Sequence, residues 1–300
     1  MGILNIGVEL LLHEHKHKKI AGNLLSIGKQ LNTLSYNDLK PILDKYQIDK
    51  TNFKNAYKDK LAKDSTTRHS LGNIYDHVFY QCFSDCNYTC ADISDYEGAT
   101  LLHDFSKPIS KKYYNKYDSI VNFSSMDNMF DPVTFLKNTS HMLKDNGRIF
   151  HLEVAGHYPG AYLMYTPEYF FSYYAMNNFM DCKVYLCVTR GDKNKNRFKR
   201  KYDIFSYSPY YKKDKNFHHL GSTRTIPETM YLMVVAEKKK KSTVNKIPMQ
   251  MQFLQKDDED WRKKYNEYLK SFRPVMQFSK KRKHKIPYDT NHFKYLGSIN

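Results

Sequence analysis

Two acidic residues each follow a short apolar run, at positions from which they could bind a nucleoside. Asp92 comes near the end of "YTCADI", 88–93, and Asp104 stands beside Phe105 at the end of "TLLHDF", 100–105. One carboxylate could accept hydrogen bonds from both hydroxyls of a ribose. The other could accept from an adenine amino group while the aromatic ring covers the base. The pair therefore predicts an adenosine site, which suits either a dinucleotide or S-adenosylmethionine.

A third part of this site is predicted in "NLLSIGKQLNT", 23–33, where a short apolar run ends in a turn with one glycine, Gly28. Turns that hold the pyrophosphate of a dinucleotide usually carry two or three glycines, because the backbone must approach the phosphates closely. S-adenosylmethionine has no pyrophosphate. A turn of Gly28, Lys29 and Gln30 suits it, with Lys29 facing the methionine carboxylate. The single glycine therefore argues against a dinucleotide and leaves the methyl donor possible.

These residues need a scaffold that brings several strand ends together, and the pattern of the chain predicts one. Short apolar runs predict strands, and runs with apolar residues three and four apart predict helices between them. The predicted strands are 23–27, 88–93, 100–105, 117–123, 148–154, 182–189 and 229–237, and the predicted helices are 3–19, 35–46, 73–84, 132–143, 167–179 and 257–272. The alternation favours a doubly wound α/β fold with a mostly parallel sheet. The last two strands lack a clear crossover helix, which predicts an antiparallel last strand.

The stretches that contain these residues resemble a known family. "ADISDYEGATLLHDFSKPI", 91–109, and the run from "YDSIVNFSSMDN" to "GRIFHLEV", 117–154, are similar to class I S-adenosylmethionine-dependent methyltransferases. More narrowly, they resemble a divergent bacterial and viral methyltransferase-like group whose first turn has a single glycine. "TPEYFFSYY", 166–174, and "VVAEKKKKSTVNKIPMQ", 234–250, are similar to later elements of that group. The resemblance implies a seven-stranded sheet whose seventh strand is antiparallel and lies between the fifth and the sixth.

The resemblance implies how each matched residue would meet S-adenosylmethionine. Gly28, Lys29 and Gln30 would lie along its methionine and ribose part. Asp92 would hold the ribose hydroxyls, and Ile93 would pack on the adenine. These five positions imply one half of the cofactor site.

The next two strand ends imply the other half. Asp104 would bind the edge of the adenine and Phe105 its face. Asn122 and Phe123 would form the floor beneath the sulfonium. The cofactor would thus be held across four strand ends.

The residues that follow the fourth and fifth strands are candidates for catalysis. Members of the group carry an acidic residue and a histidine after strand four, where this chain has Asp127 and Asn128. Methylation of an alcohol usually needs a base, and an amide is not one. His151 and His157, near the end of the fifth strand, are the substitute candidates. The resemblance therefore implies methyl transfer, and Asn128 argues against it.

Neither the histidines nor the cysteines predict a metal site. Cys82, Cys86 and Cys90 are spaced C-x3-C-x3-C rather than as CxxC pairs, which indicates small buried residues. "HEHKH", 13–17, is interpreted as the solvated end of a helix. Five cysteines in 300 residues do not indicate a disulfide framework, and no apolar run reaches the length of a membrane span. We therefore expect a cytoplasmic protein, in a cell or in the host cell of a virus.

The whole chain has a net charge of +17, and the positive charge is concentrated in its last third. Residues 1–190 contain 21 Lys and Arg against 20 Asp and Glu, whereas residues 191–300 contain 27 against 11. We interpret 1–237 as one methyltransferase-like domain, with a basic excursion at 191–228 between its last two strands. Residues 238–300 are interpreted as a basic extension, partly helical, with a tail expected to be disordered. Such a segment attracts polyanions, including nucleic acid.

Two functions stay open at this point. The first is S-adenosylmethionine-dependent methyl transfer to a small molecule, a glycan or another anionic acceptor, which Asp92 and Asp104 favour. The second is a non-catalytic binding or structural module derived from a methyltransferase, which Asn128 and the single-glycine turn favour. That module would use the basic C-terminal third to bind nucleic acid or a protein partner.

Overall fold

The computed structural model describes residues 2–32, 34–49, 73–156, 160–190, 199–209, 229–249, 258–271, 274–278 and 292–299. Within these residues the helices are α1 (Asn5–His17), α2 (Tyr36–Tyr46), α3 (Asp76–Gln81), α4 (Pro132–Met142), α5 (Pro167–Met176) and α6 (Asp258–Leu269). The strands are β1 (Gly2–Ile3), β2 (Gly22–Ile27), β3 (Leu31–Asn32), β4 (Cys86–Asp92), β5 (Leu101–Leu102), β6 (Tyr117–Phe123), β7 (Leu143–Gly156), β8 (Asp181–Thr189), β9 (Tyr202–Tyr207), β10 (Met230–Glu237) and β11 (Phe293–Ile299). Every predicted helix and strand has a counterpart at its place in the chain.

One large sheet organises the described residues, with the strand order β11-β9-β8-β10-β7-β6-β2-β4-β5. β5, β4, β2, β6 and β7 pair in parallel, and the chain reverses its direction of travel across the sheet between β2 and β6. β10 lies between β7 and β8 and is antiparallel to both. The strand order therefore confirms the parallel α/β sheet and the antiparallel strand between the fifth and sixth predicted strands. Ligands of such sheets bind at the carboxyl ends of the strands, at the reversal point.

The prediction of a seven-stranded sheet is wrong, because the described residues contribute nine strands to it. β9 lies inside the segment predicted as a basic excursion and pairs antiparallel with β8. β11, from the predicted basic extension, pairs antiparallel with β9. The apolar run of β9, "YDIFSY", is short and directly follows "KRK", so composition alone assigned it to the excursion. It is a strand because β8 offers it a free edge, which depends on the tertiary fold.

Helices cover both faces of the sheet, and each face has its own apolar core. α1, α2 and α3 pack on one face, with Leu39 and Phe79 in its core, and α4, α5 and α6 pack on the other, with Phe170 in its core. Successive strand residues alternate between the two cores, as Tyr185 and Leu186 of β8 do. The sheet is thus doubly wound, as predicted. None of the helices described is long and apolar enough to cross a lipid bilayer.

The end of α1, "HEHKH" at 13–17, is solvated only at Lys16 and His17, so its interpretation as a solvated helix end is wrong for the three residues before them. His13, Glu14 and His15 are at most 9% exposed. Nδ1 of His15 accepts a hydrogen bond from the amide of Ile20 at 3.2 Å. Burial, and then the positive charge of Arg148, lower the pKa of His15 to about 4, so the ring is neutral at physiological pH.

Arg148 of β7 explains why this polar helix end is buried. Its guanidinium donates to the carbonyl oxygen of Glu14 at 3.0 Å and to the carboxylate of Glu14 at 3.1 Å. It also donates to the carbonyl oxygens of Lys18 and Lys19. One buried cation therefore satisfies carbonyl groups that the end of a helix leaves without intrahelical partners, and it pairs with a buried carboxylate.

Candidate functional site

A cavity of about 480 Å³ opens at the carboxyl ends of β2, β4, β5 and β6. The predicted cofactor residues that line it are Gly28, Lys29, Gln30, Asp92, Ile93, Asp104, Phe105 and Phe123. Asn128 lines it as well, together with Ser124, Ser125, Met129 and Phe130. The structure thus brings together all but one of the predicted cofactor residues; Asn122 lies outside the lining. The roles assigned to these residues stay predictions.

The turn after β2 needs glycine at position 28 for two reasons. Gly28 has φ of +76°, a conformation that side chains rarely adopt, and a Cβ atom there would lie 2.7 Å from Oγ of Ser125. The close approach is fixed from both sides. The amide of Gly28 donates to the carbonyl oxygen of Ala91 at 2.7 Å, and Ser125 Oγ donates to that of Ile27 at 2.8 Å. The first turn is therefore locked against the ends of β4 and β6.

Lys29 has a buried partner that sequence reasoning missed, Asp76 in the first turn of α3. Nζ of Lys29 lies 2.9 Å from Oδ1 of Asp76, whose side chain is fully buried. Tyr88 Oη donates to Oδ2 of Asp76 at 2.8 Å. Burial alone would raise the pKa of Asp76, but His77, Lys29 and Tyr88 together hold it well below its usual value. The sequence signal for Asp76 was a single acidic residue in the apolar run "NIYDHVFY".

Asp92 ties the end of β4 to the first turn and is half-buried. Oδ2 accepts from the amide of Lys29 at 3.3 Å, and Oδ1 accepts from the amide of Ile93 at 2.7 Å. A carboxylate has about four acceptor positions, so each oxygen keeps one for a ligand hydroxyl. Ile93 beside it is 71% exposed and could cover one face of a bound ring.

Asp104 follows β5, the strand that pairs with β4, and lines the same cavity. Oδ1 accepts from the hydroxyl and the amide of Ser106, at 2.5 and 3.0 Å. These bonds, with the ammonium of Lys107, lower the pKa of Asp104, so it is a carboxylate at neutral pH. Phe105 packs inward against Phe135, with 5.6 Å between ring centroids. Two fixed carboxylates thus face the cavity from adjacent strand ends.

Asn122 lies behind the cavity floor rather than in it. Its Oδ1 accepts from the amide of Ser125 at 3.2 Å, which fixes the orientation of the side-chain amide. Its Nδ2 therefore faces Oε1 of Glu153, at 2.6 Å, and Nδ1 of His151, at 2.9 Å. Asn122 holds the loop that carries Ser125 against strand β7.

His151 is fully buried and is not among the residues that line the cavity. Because Nδ1 faces the amide of Asn122, the ring proton sits on Nε2, which lies 2.6 Å from Oη of Tyr174. Burial lowers the pKa of His151 to about 3, so the ring is neutral. Its position is that of a core residue, and its predicted catalytic role stays a prediction. His157 lies outside the described residues.

Asp127 and Asn128 follow β6 in a short 3₁₀ turn, Met126–Asn128. Asp127 is 1% exposed. Its Oδ2 accepts from Ser124 Oγ at 2.5 Å and its Oδ1 from Asn128 Nδ2 at 2.8 Å. Burial raises the pKa of Asp127 above its usual value. Ser124, which lines the cavity, has φ of +65°, which is uncommon for serine and places its hydroxyl over this carboxylate.

Glu153 of β7 is the second acid of this region that sequence reasoning missed. It is fully buried, and its Oε2 makes no hydrogen bond of standard geometry within the described residues. Burial and the negative charge of Asp127 raise its pKa well above the usual value, while Asn122 and the amide of Asp127 oppose the rise. A glutamate inside the apolar strand "RIFHLEV" was the signal for it.

Glu153→Gln should increase the free energy of unfolding at pH 8.5 by about 1–3 kcal/mol, because glutamine cannot ionise and each unit by which burial raises a pKa costs about 1.4 kcal/mol. The native pKa of Glu153 lies above that of the unfolded chain. Its contribution is therefore fully present below the unfolded pKa of about 4.3 and is lost as the pH rises toward the native pKa. The gain on substitution should grow with pH accordingly. Urea unfolding at pH 4.5 and at pH 8.5 measures it.

The matched control is Asp95→Asn, at an exposed position in the loop after β4. It should leave the free energy of unfolding within about 0.5 kcal/mol of the wild type at both pH values. A gain for Glu153→Gln that is equal at both pH values, or absent at pH 8.5, would contradict the raised pKa.

Within the described residues, no group of three or more His, Cys, Asp and Glu side chains is placed to hold a metal ion. Cys82, Cys86 and Cys90 are buried free thiols, which confirms their interpretation as small buried residues.

No family model and no curated protein matches this chain. An S-adenosylmethionine-dependent methyltransferase from Thermotoga maritima, described as a possible histamine N-methyltransferase, is 10% identical to it with a TM-score of 0.32, and the match covers 77% of this chain and 92% of that one. The 1,6-didemethyltoxoflavin N1-methyltransferase of Burkholderia thailandensis is 11% identical with a TM-score of 0.31, covering 79% and 78%.

Other similar structures match smaller parts. A protein from Rhodobacter sphaeroides described as a zinc-dependent alcohol dehydrogenase is 11% identical with a TM-score of 0.26, covering 49% of this chain and 46% of that one. The chain spans less than two thirds of several such structures, down to 30% of one of them. At TM-scores this low, the similarity establishes neither a shared fold nor a shared function. The fold therefore rests on the strand order of this chain, and the function on its own site.

Proposed function

We propose that this chain binds S-adenosylmethionine and transfers its methyl group to an acceptor. The observation that carries the proposal is the convergence of four strand ends on one cavity. The first turn, Asp92, Asp104 and Phe123 come from separate stretches of the chain and all line the same space. An adenosine with a short polar tail could be held by two carboxylates and one glycine turn at adjacent strand ends.

The lining fits this cofactor better than a dinucleotide. The turn at Gly28 allows one close backbone approach, against Ser125, and has no further glycine for a pyrophosphate. Lys29, paired with Asp76, puts a cation and an anion beside that turn. Of these two, only Lys29 lines the cavity, where its ammonium could face the carboxylate of the methionine part, while Asp76 lies buried behind it. Asp92 would hold the ribose hydroxyls, and Asp104 the adenine edge.

The cofactor would supply an electrophilic methyl group on a sulfonium. The protein must then take up the proton that the acceptor loses. Ser124 Oγ would accept that proton while its own proton moves to Oδ2 of Asp127, 2.5 Å away. The raised pKa of Asp127 makes it a stronger base than an exposed aspartate, and Asn128 would orient it. His151 faces Tyr174 and is less well placed for this step.

Titration calorimetry with S-adenosylhomocysteine tests the proposal, with NAD⁺ as the competing ligand. We expect S-adenosylhomocysteine to bind with a dissociation constant in the micromolar range and NAD⁺ to give no heat at millimolar concentration. Absence of S-adenosylhomocysteine binding at millimolar concentration, or tighter binding of NAD⁺, would overturn it.

A second candidate function is a non-catalytic module that binds a polyanion through its basic C-terminal third. Its support is the excess of 27 Lys and Arg over 11 Asp and Glu in residues 191–300. Binding of this kind releases counterions, so affinity for a single-stranded oligonucleotide should fall steeply as salt rises. Electrophoretic mobility shifts at about 50 and about 200 mM salt measure this. Salt-independent or absent binding would remove the second function.

A further inference from the structure

Two aromatic rings near the mouth of the cavity have no role in the proposed cofactor site. Phe130 lines the cavity and is 83% exposed, and Tyr162, which is 67% exposed, lies beside the lining and contacts Phe130. Their ring centroids lie 4.8 Å apart with 36° between the ring planes. Apolar surface in water costs about 25 cal/mol per Å² relative to burial. A contacting pair of exposed rings at the mouth of a cavity therefore indicates a ligand that covers them.

The backbone beside both rings is held by hydrogen bonds. The carbonyl oxygen of Asp127 accepts from the amides of Tyr162 and Leu163, at 2.9 and 3.2 Å. On the other side, Phe130 directly precedes Asp131, whose side chain caps α4. These bonds position the two segments that carry the rings, and the rings contact each other. Positioned segments lower the entropy cost of binding a ligand.

The order of the strands places this pair away from the proposed adenosine residues. Phe130 belongs to the loop after β6 and Tyr162 to the segment after β7, which is next to β6 in the sheet. Asp92 and Asp104 follow β4 and β5, on the other side of β2. A cofactor held by the residues after β4 and β5 would leave the Phe130 side of the cavity for the acceptor. Ser124, the proposed proton acceptor, follows β6 as well.

We propose that Phe130 and Tyr162 form a stacking platform for the methyl acceptor, and that this acceptor is a small molecule with a planar aromatic or heteroaromatic ring. The inference rests on the proposed methyl transfer and names its substrate class. Aromatic rings pack in offset or tilted pairs with centroids about 4.5–7 Å apart. Phe130 and Tyr162 already form such a pair at 4.8 Å, and an acceptor ring would stack on the ring surface that their exposure leaves open. The methylated atom would be a hydroxyl or amine on the ring, within reach of Ser124.

Binding of two matched probes to protein saturated with S-adenosylhomocysteine tests the platform. 2-Naphthol is flat, and decahydro-2-naphthol has the same carbon skeleton and hydroxyl without the aromatic rings. We expect saturation-transfer NMR titrations to show 2-naphthol binding at least about tenfold more tightly than the saturated probe. Phe130→Leu and Tyr162→Ala should each weaken 2-naphthol binding by about tenfold and leave S-adenosylhomocysteine binding unchanged. Tyr96→Ala removes a ring of equal exposure, 83%, that does not line the cavity, and should change neither.

Each of the following outcomes would contradict the proposed platform. Equal binding of the two probes indicates a general apolar surface, of the kind a sugar or a saturated ring also covers. Unchanged 2-naphthol binding in both variants places the probe elsewhere. Loss of S-adenosylhomocysteine binding in Phe130→Leu assigns the ring to the cofactor. Failure of the wild type to bind S-adenosylhomocysteine is a different result, because it removes the proposed function itself.

Discussion

Asp92→Ala is expected to weaken the binding of S-adenosylhomocysteine by about a hundredfold or more. A hydrogen bond to a charged group contributes about 1.5–3 kcal/mol, and the carboxylate would lose two, one from each ribose hydroxyl. About 1.4 kcal/mol corresponds to a tenfold change in affinity. The substitution also removes the bonds that join Asp92 to the amides of Lys29 and Ile93, so the first turn loses an anchor. Titration calorimetry measures the affinity.

Two variants separate ribose recognition from the anchoring of the turn. Asp92→Asn keeps one acceptor oxygen and the shape of the side chain, so the loss should be about tenfold. Asp95→Ala removes an exposed carboxylate three residues further on and should leave the affinity unchanged. If Asp92→Ala binds as tightly as the wild type, Asp92 is not the ribose ligand. Thermal unfolding of each variant shows whether the fold is retained.

Arg148→Met is expected to reduce the free energy of unfolding by about 3–5 kcal/mol, because it leaves a buried carboxylate without its cation. The guanidinium and the Glu14 side chain are 2% and 0% exposed, so water does not replace the lost partner. The carbonyl oxygens of Lys18 and Lys19 lose their donor as well. The end of α1 should detach from β7. Urea unfolding at neutral pH measures the change.

The control lies on the same strand. Lys144 pairs with Asp118 at 2.8 Å, and the two side chains are 39% and 36% exposed. Lys144→Met should therefore cost about 1 kcal/mol or less, since water screens exposed pairs. The double variant Glu14→Leu with Arg148→Met removes both buried charges and should recover much of the loss. Equal effects of Arg148→Met and Lys144→Met would contradict the burial argument.

Sequence patterns predicted most of the sheet because they depend on short-range chemistry. β6 was predicted with its observed ends, Tyr117–Phe123, since a strand buried on both faces reads as one apolar run. The helix predicted over 35–46 is capped by Ser35, whose Oγ accepts from the amide of Asp38 at 3.3 Å, a contact between near neighbours in the chain. β9 and β11 were missed because each forms by pairing with a strand already in the sheet, β9 with β8 and β11 with β9.

The residues of the candidate site likewise divide into those that the sequence predicted and those that it missed. Gly28 was identified because it directly follows a predicted strand, and Asp92 and Asp104 because they stand near the ends of two others, since strand ends of a parallel sheet meet at one edge. Asp76 and Glu153 were missed because each lies inside a buried element, where only side-chain contacts give it a role. Lys29 was predicted to meet a ligand carboxylate, and its observed partner Asp76 comes from a helix 47 positions further along the chain.

By itself, the sequence determined the α/β alternation, the antiparallel strand in the sheet and the strand ends at which a nucleoside site can form. It did so because hydrophobic periodicity and turn residues act over a few neighbouring positions. The tertiary structure decided that Asp127 pairs with Ser124 and that Glu153 is a buried acid. It also decided that Phe130 and Tyr162 meet at the rim, 4.8 Å apart. These contacts join residues through the packing of separate strands and loops, and burial, which sets the pKa values of the acids, exists only once the chain has folded.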